Sequence, residues 1–142
     1  MPRDSAALDA ALVAYLQADA TLAGLQPDGV FLDDVRAGAR RFVVVTLLEA
    51  TDVDTFAGRA AEIVRYQVTA VSHTAVATAQ SARAAGVRID ELLQGAALTV
   101  EGYPPGVTLA RLTRIRLLQV YDEDRSMRYY IRGGNYELFA PN

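Results

Sequence analysis

The chain has 142 residues, about half of them apolar, and a formal charge of −3. That length fits a single domain over residues 1–142, able to bury about two thirds of its unfolded surface. The acidic balance gives no basis for nucleic-acid binding driven by bulk charge, and the absence of cysteine excludes disulfides and thiolate metal sites.

Leu8, Leu12, Tyr15 and Leu16 recur at helical spacing, and Asp4 or Ser5 can cap that first helix. Leu22 and Leu25 follow in a short turn or helix that ends near Gly24 and Pro27. "PDG" at 27–29 is turn chemistry. Val30 to Leu32 reads as a short edge strand and Asp33 to Arg41 as a polar loop. Phe42 to Leu48, FVVVTLL, is a strand covered on both faces. Glu49 to Ala61 has no strong periodicity and reads as a long polar loop. Glu62 to Val71 alternates, with Val64, Tyr66, Val68 and Ala70 on one face.

A second helix is predicted over Thr74–Gln94, capped by Ser72 or Thr74 and closed by Gly95. Its apolar stripe is Val76, Ala79, Ala82, Gly86, Ile89 and Leu93, with Gly86 allowing close approach of a sheet. Leu98–Val100, Val107–Tyr121 and Met127–Arg132 read as strands, the last resumed over Tyr136–Phe139. The expected fold is α+β: a two-layer sandwich of a largely antiparallel sheet of about four main strands, with two helices on one face.

No apolar run approaches the roughly 20 residues that a membrane-spanning helix needs. The N-terminus MPRDSAALDA lacks the continuous apolar stretch of a cleaved signal, so residence in the cytoplasm and no membrane partner are expected. Asp122, Glu123 and Asp124 raise the possibility of a metal-dependent nuclease. Neighbouring residues on an extended segment point to alternate sides, however, and a solvated turn is the better reading. His73, the only histidine, stands between Ser72 and Thr74 where a strand meets a helix, and reads as a polar helix-start residue. GxSxG, HExxH, the P-loop and GxGxxG are absent. No catalytic residue, metal site or cofactor is predicted.

All 14 basic residues are arginine, and six of them crowd Arg111 to Arg132. If Tyr121 pairs with Met127, one face of the last hairpin carries Ile115, Leu117, Tyr121, Met127, Tyr129 and Ile131, apolar enough to meet the helices. The other carries Arg114, Arg116, Leu118, Val120, Arg128, Tyr130 and Arg132. Arginine and tyrosine on an exposed sheet face look like a protein interface. Acids on a neighbour could match it, such as Asp33, Asp34, Glu49, Asp52 or Asp54. Direct DNA binding by that face is the competing reading, opposed by the net charge.

The order of these segments resembles the tail-terminator, or tail-completion, proteins of long-tailed bacteriophages, prophages and gene-transfer particles. The resemblance rests on "ALVAYLQADATLAGL" leading into "GVFLDDVRAGA", on "FVVVTLLEA", and on "RYQVTAVSHTAVATAQSARAAGVRIDELLQG". The final "RLLQVYDEDRSMRYYI" completes it. Val71-Ser72 stands where such proteins often carry an aromatic before serine. The resemblance implies a structural protein without enzymatic activity or cofactor, resident in the virion at the tail or neck. It implies a homo-oligomeric, hexameric ring that ends tail-tube polymerisation and joins the tube protein to the head–tail connector. A head-completion or neck protein of the same particle is the alternative. Sequence-specific nucleic-acid recognition is not implied. In this reading Asp52, Asp54, Phe56 and Arg59 face the tube or a neighbour, and Arg114, Arg116, Arg128, Tyr130 and Arg132 meet a partner subunit.

Overall fold

A computed structural model describes residues 6–120 and 128–141. The elements run α1 (Ala6–Gln17), α2 (Ala20–Leu25), β1 (Val30–Leu32), β2 (Arg41–Thr55), β3 (Gly58–His73), α3 (Ala79–Leu93), β4 (Ala97–Leu98), β5 (Val107–Val120) and β6 (Arg128–Pro141). One sheet holds all six strands in the order β1-β2-β3-β6-β5-β4, and only the β1–β2 pair is parallel. The α+β class is as expected. The four main strands expected are the long ones; β1 matches the short edge strand expected at Val30–Leu32, the third helix, α2, falls where the sequence reads as a short turn or helix, and β4 is Ala97–Leu98 in place of Leu98–Val100.

The helices pack on one face because their apolar stripes and the strand alternation coincide there. Leu8, Leu12 and Leu16 of α1, Leu22 of α2, and Ala85, Ile89 and Leu93 of α3 share a core with Val43, Val45, Val64, Tyr66, Val68 and Ala70. Tyr136, Leu138 and Ala140 of β6 complete it. Each buried leucine stabilises by roughly 1.5–3 kcal/mol. The Tyr15 hydroxyl donates to the Leu92 carbonyl at 2.8 Å and ties α1 to the end of α3.

Helix α3 starts later than its apolar pattern predicts. Thr78, in place of Ser72 or Thr74, caps it in a reciprocal box with Ser81. Val76 lies outside the helix and is exposed. Gly95 has φ +74° just past the C-cap, as a left-handed closing residue should. The caps expected at Asp4 or Ser5 lie outside the described residues.

Two polar arrangements fix β2, the first of them buried. Gln26 Nε2 donates to the carbonyls of Phe42 (2.9 Å) and Val71 (3.1 Å), and its Oε1 accepts from Ser72 Oγ at 3.1 Å. Asp28 accepts from the backbone N–H groups of Arg40 and Arg41, both at 2.8 Å, which anchors the loop before β2. Those two bonds hold the Asp28 carboxyl below its ordinary pKa.

The segment expected to be a polar loop, Glu49 to Ala61, is the outer half of a hairpin. Strand β2 continues to Thr55, which pairs with Gly58 across a two-residue turn. The β-structure left no alternating signature because neither face is buried: every residue from Leu47 to Gly58 is exposed. Strand β1 pairs only with Val43–Val45, so the outer edge of β2 is uncovered from Thr46 onward among the described residues.

A second expectation is reversed. Ile115, Tyr129 and Ile131 do not meet the helices. They form a small cluster on the opposite face with Phe31, Phe42, Val44 and Val71. The side facing α3 carries Arg132, whose parity follows from Tyr136, Leu138 and Ala140 through an unbroken β6. The register itself is the expected one, with Val120 opposite Arg128. Tyr121 and Met127 lie outside the described residues.

A candidate interface: an arginine cleft and an acidic hairpin

Three features bring arginines together beside α3. Strand β5 shifts register between Arg111 and Thr113. The extra residue, Leu112, reverses parity, so Arg114 and Arg116 come to the same side as Arg111. Arg114 pairs with Gly134 and Arg116 with Arg132 across the ladder. On α3, Gly86 supplies the close approach its sequence position suggests: a Cβ there would lie 2.7 Å from Arg132 Cβ.

The result is a cleft of about 260 Å³, its walls including Arg83, Gly86, Arg114, Arg116, Arg132 and Gly133. Arg83, Arg114 and Arg116 are exposed, and none makes an ion pair among the described residues. The Arg132 guanidinium lies 5.7 Å from the centre of the Tyr130 ring. Burial, then the charge of Arg116, holds Arg132 below its ordinary pKa. It remains a cation, because guanidinium does not titrate in the accessible range.

The two acids that also line this cleft are already engaged. Asp90 accepts from Arg111 Nη1 at 2.7 Å and from the Tyr136 hydroxyl at 3.2 Å. Burial and the Asp90 charge push the Tyr136 phenol above its ordinary pKa. Glu91 accepts from Arg88 Nη1 at 3.1 Å. Arg88 also grips Asp19, the α2 cap, at 2.6 and 2.9 Å. That bond holds the Asp19 carboxyl below its ordinary value and raises Arg88.

The predicted residues fall into two groups. Arg114, Arg116 and Arg132 converge in the cleft. Arg128 and Tyr130 continue the same face of β6 toward the hairpin end. Arg83, on α3, belongs with them, and sequence reading missed it because nothing local relates that helix position to β5. Asp52, Asp54, Phe56 and Arg59 lie apart, on the outer β2–β3 hairpin. Phe56 is fully exposed at the turn, and Asp33 and Asp34 follow β1 on the same flank. Asp33, Asp34 and Asp54 have no ion pair among the described residues.

His73 ends β3 and is buried. Its Nδ1 accepts from the Ala75 N–H at 3.0 Å and its ring stands edge-on to Tyr129 at 5.0 Å. It is a turn residue preceding α3. Among the described residues no group of three or more His, Cys, Asp or Glu is placed to hold a metal, and no helix is long and apolar enough to cross a membrane. Asp122, Glu123 and Asp124 lie outside the described residues.

What these features define is an α+β fold with two oppositely charged surfaces and no assembled catalytic constellation among the described residues. No protein-family model and no curated protein matches the chain. Among solved structures it is similar to a chain from the virion of a native gene transfer agent particle, at 24% identity and a TM-score of 0.73. The alignment covers 97% of each chain. The two share the whole fold, from α1 to the last hairpin.

Proposed function

We propose that this chain is a structural virion protein that closes into a ring at the head-proximal end of a phage-type tail tube. There it ends tube polymerisation and offers the surface on which the head connector docks. The observation that carries this reading is the end-to-end likeness to a chain of a gene-transfer-agent virion, with neither chain leaving a domain unmatched. The arginine cleft and the exposed acidic hairpin support it, since a ring subunit needs two distinct contact surfaces. Its partners are further copies of itself, about six to a ring by the family resemblance and cyclic closure, the tail-tube protein and the connector. It is made in the host cytoplasm and resides in the particle.

A neck or head-completion protein is the second reading, because the likeness is to a chain of a whole virion. Disruption of the gene separates the two. Loss of a terminator yields overlong or uncapped tails, which is the expected result. DNA-leaking heads beside finished tails of normal length would transfer the chain to the neck.

A further inference from the structure

We infer that the arginine cleft is a carboxylate-binding site, and that its occupant is the acidic β2–β3 hairpin of a second copy of this chain. The inference rests on the ring reading and specifies how its subunits join.

The first support is position. β3 and β6 pair from Ala61–Pro141 to His73–Tyr129, and this pairing joins the two long hairpins side by side. The hairpins point in opposite directions. The β2–β3 turn lies beyond the Ala61–Pro141 end, whereas Val120 and Arg128 pair at the His73–Tyr129 end. The cleft lies midway along β5 and β6, where Arg114 pairs with Gly134 and Arg116 with Arg132, and β2 and β5 lie on opposite flanks of β3 and β6, so the cleft and the β2–β3 turn are separate patches. A patch that fits a different patch on the next copy joins copies head to tail, the heterologous geometry from which rings are built.

The second support is charge. Residues 46–60 contain Glu49, Asp52 and Asp54 against a single arginine, Arg59, and Glu49 is paired at 3.2 Å with Arg65, opposite it on β3. The cleft gathers Arg83, Arg114, Arg116 and Arg132, while its own acids serve Arg111 and Arg88. Asp54 is a carboxylate without an ion pair among the described residues, and Arg83, Arg114 and Arg116 are guanidiniums in the same position. Guanidinium forks match carboxylates two bonds at a time.

The third support is the shape of the occupant. A narrow hairpin exposed from Leu47 to Gly58 can reach into a cleft between a helix and a strand. A phosphate backbone would instead require a continuous basic track, and the cleft is bounded by Asp90 and Glu91.

Two full-length variants test this. Arg114→Glu/Arg116→Glu removes the cleft; Asp52→Arg/Asp54→Arg inverts the hairpin. Each alone should weaken self-association by at least about thirtyfold, the scale of losing a buried charge contact. Melting temperatures should stay near the wild-type value, since these side chains are exposed. Mixed in equal amounts, the two should assemble by alternating, because each acidic hairpin meets an arginine cleft and each inverted hairpin meets a glutamate cleft. Combining all four changes in one chain should restore assembly. Rings that persist in both variants would overturn the pairing and leave the ring reading intact. So would loss of assembly that neither mixing nor the four-change chain restores. Wild-type protein that never self-associates, even with tail tubes present, would overturn both. Salt-sensitive DNA binding lost in Arg114→Glu/Arg116→Glu, with assembly unchanged, would assign the cleft to phosphate instead.

Discussion

The β2–β3 and β5–β6 hairpins are built alike, from strands of 14 to 16 residues, yet they are supported differently. β5–β6 is backed by α3, which meets Arg132 at Gly86 and holds Arg111 through Asp90. The outer half of β2–β3 has no layer on either face and ends in an exposed phenylalanine. In the pairing we infer, one hairpin is the receptor and the other the probe. In a small domain, exposure of so long a two-stranded segment costs stability that burial elsewhere must offset, so an external contact is the physical reason to keep it.

The comparison can be broken most severely where the two hairpins join. A Cβ at Gly133 would sit 2.0 Å from the Val68 carbonyl oxygen. Gly133→Val should therefore cost more than about 4 kcal/mol and separate β3 from β6. Denaturant melts check this, and a wild-type midpoint would show that the strands are not so close.

Next in size is the brace behind the receptor. Asp19→Ala removes the α2 cap, at about 1–2 kcal/mol, and the Arg88 contact with it. The Asp19 pKa is lowered from 3.8, chiefly by Arg88. Its contribution is complete above that ordinary value and lost as pH falls through the lower folded one. Wild-type stability should fall in that acid window, and Asp19→Asn, which keeps a capping side chain, should flatten the fall. Equal acid sensitivity in both proteins would remove Asp19 from the account.

Gly86→Ala sets a helix gain of about 1 kcal/mol against a Cβ 2.7 Å from Arg132 Cβ. The contact should win, with a net loss of about 1 kcal/mol and weaker assembly, because Arg132 is displaced. A stabilised, fully assembling variant would mean that the helix can lift from the sheet without affecting the cleft. The smallest effect on folding is at the probe. Phe56→Ser should change stability by less than about 0.5 kcal/mol while reducing assembly or tube capping. Unchanged assembly would leave Phe56 a surface residue.

Much of this was legible in the sequence. The alternation of Val64, Tyr66, Val68 and Ala70, the leucines of α1 and the closing Gly95 required only periodicity and cap chemistry. The outer hairpin was not legible, because periodicity reports burial and nothing there is buried. The face of the last hairpin was misassigned for a related reason. Ile131 and Tyr129 looked like core when Met127–Arg132 was read alone. Parity counted from Tyr136 back through Gly133-Gly134 places Arg132 on the helix side. Arg114, Arg116 and Arg132 already share one face in the sequence reading. Their convergence depends on a bulge at Leu112 and on a helix glycine far away in sequence, neither of which a local pattern reveals.

Negative-stain imaging of the purified full-length protein, alone and with tail tubes, tests the central claim most directly. The account predicts rings with a central channel, free in solution or seated on one end of each tube. Single subunits under both conditions, with tube ends left bare, would contradict it.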